Sequence, residues 1–147
     1  MGAGTHDPDG IDENRWNNCV ATTLAATLAW YGLGHYQPDD LKDAVYGEQW
    51  TGYTDPAEYI FLLADLGLAS TVIRTDDPRP IVEDALRRGV AVAARSFEPE
   101  GFFHYCPVIG FDDTSVTRHN PLGGRRETLS WADWLHRYAG YVVVSER

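Results

Sequence analysis

Asn18-Cys19-Val20-Ala21-Thr22-Thr23-Leu24-Ala25-Ala26-Thr27-Leu28-Ala29-Trp30-Tyr31-Gly32 is the stretch on which the fold turns. Leu24, Leu28 and Tyr31 recur at helical spacing, and Ala25, Ala26 and Ala29 allow close packing. Asn17 or Asn18 can cap the start, and Gly32 with Gly34 stops the end. A helix this apolar is central to its domain. Its first residue is a cysteine, placed where unpaired backbone N–H groups and the helix dipole favour a thiolate. Cys19 is therefore a nucleophile or a small buried side chain.

Outward from this helix the pattern is helices first and strands later. Pro38-Asp39-Asp40-Leu41 opens a second helix and Thr54-Asp55-Pro56-Ala57-Glu58 a third, which ends at Gly67. Ala69 to Arg74 and Val90 to Ala94 read as strands, with a short amphipathic helix from Arg79 to Arg88 between them. His104 to Phe111 and Ser115 to His119 are further strands, joined by a turn at Asp112-Asp113. Leu129 to Tyr138 reads as a helix capped by Ser130, and Tyr141 to Val144 as a closing strand. The class is α+β, a helical half packed against an antiparallel sheet.

At 147 residues the chain is one domain's worth, and 44% hydrophobic residues supply a core. The net charge of −10 argues against nucleic acid as a partner. No apolar run is long enough for membrane insertion. Residues 1–12 read as an irregular lead-in with no signal core, so a cytoplasmic location and free thiols are expected. Gly2 hints at myristoylation, but His6 stands where Ser or Thr is needed. The acidic stretch Asp7 to Glu13 lacks EF-hand spacing and reads as a solvated turn.

A cysteine nucleophile needs a base, and the base needs an orienting group. His104 opens a strand, and Asn120 follows the next one in His119-Asn120-Pro121-Leu122-Gly123-Gly124. An eight-residue strand, a tight turn and a return strand bring these two ends together. His104 could equally be a structural histidine, and Asn120 a turn residue before Pro121. Cys106 shares a strand face with His104 and reads as a core thiol. Zinc on Cys19, His104 and Cys106 lacks a fourth ligand, so neither metal nor cofactor is expected. His6, His35, His119 and His136 read as surface or capping residues, and Trp50, Trp131 and Trp134 as packing groups.

Three segments resemble the C39-type peptidases, a family of papain-like cysteine peptidases. They are Asn18-Cys19 through Tyr31-Gly32, His104-Tyr105-Cys106-Pro107-Val108-Ile109-Gly110-Phe111-Asp112-Asp113, and Asn120-Pro121 with the Gly turn, Ser130-led helix and Val-rich strand after it. The resemblance covers residues 13–147 and implies a stand-alone C39-like domain of papain-like fold. It implies Cys19 as nucleophile, His104 as general base and acid, and Asn120 as the group that orients the imidazole. The implied chemistry is an acyl-enzyme on Cys19, from a peptide or a small acyl substrate that is free or carried by another protein. The outcome is hydrolysis, or acyl transfer or cyclisation. The alternative is a papain-fold peptide- or ligand-binding module without catalysis.

Three positions depart from the family. Glu13 stands where the family places a Gln that donates to the oxyanion, and a carboxylate cannot donate. The oxyanion-hole candidates are therefore Asn14, the neighbouring donor, and Glu13 itself if it stays protonated. Val20-Ala21 replaces Gly-Pro, and Pro107 lies inside the His strand, where proline suits an edge or a bulge. Trp16, Asn18 and Tyr105 are candidates to line the cleft.

Overall fold

A computed structural model describes residues 18–47, 54–121 and 124–147 of the chain. The helices are α1 (Cys19–Trp30), α2 (Pro38–Tyr46), α3 (Ile60–Asp65, entered through a 3-10 turn at Pro56–Tyr59), α4 (Arg79–Arg87) and α5 (Trp131–Arg137). The strands are β1 (Ala69–Arg74), β2 (Ala91–Phe97), β3 (Phe103–Phe111), β4 (Ser115–Asn120), β5 (Arg125–Ser130) and β6 (Tyr138–Glu146). They form one antiparallel sheet in the order β1-β6-β2-β3-β4-β5.

Each face of the sheet carries its own core. Ala93, Tyr105, Tyr141 and Val143 meet Leu24, Leu28, Leu41 and Leu63 of the helical half. Val92, Ala94, Val108, Val142 and Val144 meet Val82 of α4 and Trp131 and Trp134 of α5. The run Tyr141 to Val144 is apolar without a break because β6 is buried on both faces. Among the described residues no helix is long and apolar enough to cross a membrane.

The sheet differs from the sequence expectation in gaining β5 and in the lengths of β2 and β6, which run on to Phe97 and start already at Tyr138. β5 takes Leu129 and Ser130, so α5 starts only at Trp131, with the Ser130 side chain accepting from Asp133 N–H at 3.0 Å. β5 is an edge strand whose exposed residues, Arg125, Arg126, Thr128 and Ser130, are all polar, which protects an edge and hides it from apolar patterning. Pro107 lies in an interior strand, one residue before the register of β3 with β4 shifts between Val108 and Gly110. A ladder already broken there tolerates the missing donor.

α1 is fastened to the sheet at its first turn. The Thr23 hydroxyl donates to the Tyr105 carbonyl at 3.0 Å, and Thr23 is fully buried. Further along, the Tyr31 hydroxyl donates to Ser145 O at 2.6 Å and accepts from Ala91 N–H at 3.0 Å. Thr23→Val keeps the shape and strands a buried carbonyl. It is expected to cost about 1–3 kcal/mol in urea unfolding, and a loss below a few tenths would show that the contact does not hold the helix.

Candidate active site

Cys19 heads α1 and is buried. The backbone N–H groups of Tyr105, Val20 and Cys19 itself lie near enough to favour the charged form of its sulfur. Burial nevertheless dominates and pushes the thiol up to about 11, against the pull of those donors and of Lys42. Desolvation of the charged form outweighs the dipole. Cys106, a buried core thiol as expected, is pushed up by burial as well.

His104 opens β3 and is buried, and its Nε2 lies 2.7 Å from Asn120 Oδ1. The Asn120 amide nitrogen donates to Glu127 Oε1 at 3.0 Å, which turns Oδ1 toward the imidazole. Nε2 is then the protonated nitrogen and Nδ1 carries the lone pair. Nδ1 is buried and has no hydrogen-bond partner among the described residues. Burial lowers the His104 pKa, against the raising influence of Asn120 and Glu98, so the imidazole is neutral at pH 7. The structure thus joins His104 to Asn120 directly. Cys19 reaches the same strand one residue on, at the Tyr105 N–H, with no thiol–imidazole hydrogen bond.

Two expected cleft residues are placed otherwise. Asn18 is buried and faces α2, where its amide donates to Asp39 Oδ1 at 2.6 Å and its oxygen accepts from the fully buried Lys42 Nζ at 3.2 Å. That also leaves α1 without a side-chain cap. The Tyr105 ring sits in the core, and what it gives the site is its backbone. Glu13, Asn14 and Trp16 lie outside the described residues.

Sequence reasoning missed a buried polar cluster beneath the histidine. Arg118 is paired with Glu98 through both of its terminal nitrogens and donates from Nε to Glu127 at 3.0 Å. Ser96 Oγ donates to Glu98 at 2.6 Å, and Arg137 adds a contact at 3.3 Å. Burial alone would raise the Glu98 carboxyl, but Arg118 and Ser96 outweigh it and hold it at about 2. The signal was present in β4, where Val116, Arg118 and Asn120 alternate inward. Among the described residues no group of three His, Cys, Asp or Glu side chains could hold a metal. An apolar hollow of about 250 Å³ lies at the far end of α1, between Trp30, Pro107 and His119, and none of the candidate catalytic residues lines it.

The chain has the papain-like fold of C39 peptidase domains. It superposes on the peptidase domain of Streptococcus ComA, a bi-functional ABC transporter of a quorum-sensing pathway, with a TM-score of 0.70 at 16% identity, over 99% of this chain and 98% of that one. The double glycine motif protease from an AMS/PCAT transporter, solved with its leader peptide, gives 0.64 at 15% identity over 86% and 82%. The N-terminal peptidase C39 like domain of a Vibrio parahaemolyticus toxin secretion ATP-binding protein gives 0.61 at 15% identity over 88% and 96%. No family model matches the sequence, and neither does any curated protein.

Two pH responses follow. Alkylation of Cys19 by iodoacetamide, read on its own peptide by mass spectrometry, is expected to be slow at pH 7 and still rising above pH 9.5. A plateau below pH 8 would contradict the buried thiol. Glu98 is held below its ordinary 4.5, so its contribution is complete above that value and is lost as pH falls toward about 2. Chemical unfolding across that window should lose roughly 3 kcal/mol from this carboxyl, and Glu98→Gln should flatten the slope.

Proposed function

We propose that this chain is a papain-like cysteine peptidase that cleaves a peptide amide through an acyl-enzyme on Cys19. His104 is the general base and acid, and Asn120 orients its imidazole. The observation that carries the reading is the His104–Asn120 pair, which leaves Nδ1 bare at the end of β3 that receives the thiol. The leader peptide held by the AMS/PCAT protease supports a peptide as the substrate class.

The steps use few groups. The Cys19 thiol gives its proton to His104 Nδ1 as the sulfur bonds to the substrate carbonyl carbon. The oxyanion takes the N–H groups at the head of α1, which already converge on the sulfur. The tetrahedral intermediate collapses, Nδ1–H protonates the leaving amine, and a thioester remains. His104 then takes a proton from water, whose oxygen displaces the sulfur, and the proton returns to the thiol. An amine in place of water would give transfer or cyclisation from the same intermediate.

A second reading, a peptide-binding module without catalysis, is favoured by the raised Cys19 pKa and by Glu13 in the place of an oxyanion donor. Fluorogenic peptide amides with Gly-Gly on the acyl side, and the matching activated esters, separate the two. Turnover and an acyl adduct on Cys19 are expected, both absent in Cys19→Ala. His104→Ala should lower kcat by about a hundred- to ten-thousand-fold. Binding of the peptide with no adduct, or equal rates in wild type and Cys19→Ala, would establish the binding module.

A further inference from the structure

We propose that Glu127 is a positioning residue that sets the tautomer of His104 by holding the Asn120 carboxamide in one of its two orientations. This rests on the reading of His104 as the base. An asparagine amide has nearly the same shape after a half-turn, so packing cannot choose between its ends. The choice matters. With Oδ1 toward the ring, Nε2 must donate and the lone pair falls on Nδ1. With the amide nitrogen toward the ring, Nε2 must accept, and the proton moves to Nδ1, which can then abstract nothing.

Glu127 discriminates because a carboxylate only accepts. Its Oε1 takes the Asn120 amide N–H at 3.0 Å, and the half-turned amide would set oxygen against oxygen there. The carboxylate is itself held, since the same Oε1 accepts from Arg118 Nε at 3.0 Å. Arg118 cannot shift, because its other nitrogens are fastened to the buried Glu98. The order of command runs from Glu98 to Arg118, Glu127, Asn120 and His104, and it crosses from the β2–β3 turn through β4 and β5. An aspartate in place of Asn120 would need no such partner, since both of its oxygens accept.

The direct readout is the His104 ring by nitrogen NMR at pH 7.5, which needs no substrate. Wild type should show the Nε2–H tautomer. Glu127→Ala should show a mixture of both tautomers and a kcat lower by on the order of tenfold, the size of one net hydrogen bond, with KM unchanged. Glu127→Gln keeps an acceptor at Oε1 and should restore both. In an Asn120→Ala background Glu127→Ala should have no further effect on kcat. An unchanged tautomer in Glu127→Ala, or an equal loss of kcat in the Asn120→Ala background, would overturn the proposal. Full turnover by His104→Ala would instead overturn the catalytic reading and leave the tautomer result standing.

Discussion

The backbone of one residue, Tyr105, seats the head of α1 on the sheet. Its carbonyl accepts from the Thr23 hydroxyl and its N–H favours the charged form of the Cys19 sulfur, so β3 receives the head of α1 through its backbone. This is available because β4 meets β3 only at Val108, Gly110 and Phe111, leaving the start of β3 uncovered on that side. A backbone groove of this kind fixes a helix more tightly than side-chain packing alone, since buried peptide groups must be satisfied. The same contact sets the thiol one residue from His104.

Beneath the histidine the protein carries charges where an apolar core would be cheaper. Arg118 and Glu98 are both almost fully buried, and desolvating such a pair offsets much of its attraction. Replacing the pair with apolar residues could leave the fold as stable. What it could not do is aim a dipole. An apolar cluster presents nothing to Glu127, whose carboxylate would lose the Arg118 contact that holds it. The buried charges contribute orientation, and they make the fold acid-sensitive, because Glu98 must stay ionised for the cluster to hold.

The sequence made the large pieces legible. The apolar period through Leu24 and Leu28 marked α1, and the return from His104 through the Asp112-Asp113 turn brought Asn120 back beside it. Both depend on local pattern, which sequence carries directly. The unread parts depend on partners far apart in the chain. β5 is polar because it is an edge, so apolar alternation could not find it. Glu98 carries no pattern of its own, and the partner that defines it, Arg118, lies twenty residues on. Tyr105 looked like a cleft aromatic because its backbone role has no residue signature.

The thiol also shows why position in a helix does not by itself set reactivity. The head of α1 supplies donors to the sulfur, as its place in the sequence implies, and yet burial raises the thiol and lowers the imidazole. Each shift favours the neutral form, so the resting pair is thiol and imidazole, with no standing ion pair. Such a site cannot store a thiolate in advance. In the proposed mechanism, proton transfer accompanies bond formation at the carbonyl, where the charge leaves sulfur for an oxygen facing the helix terminus. On that proposal the reactive state exists only with an acyl carbon in place, and the buried cluster, through Glu127 and Asn120, leaves Nδ1 as the nitrogen that receives the proton.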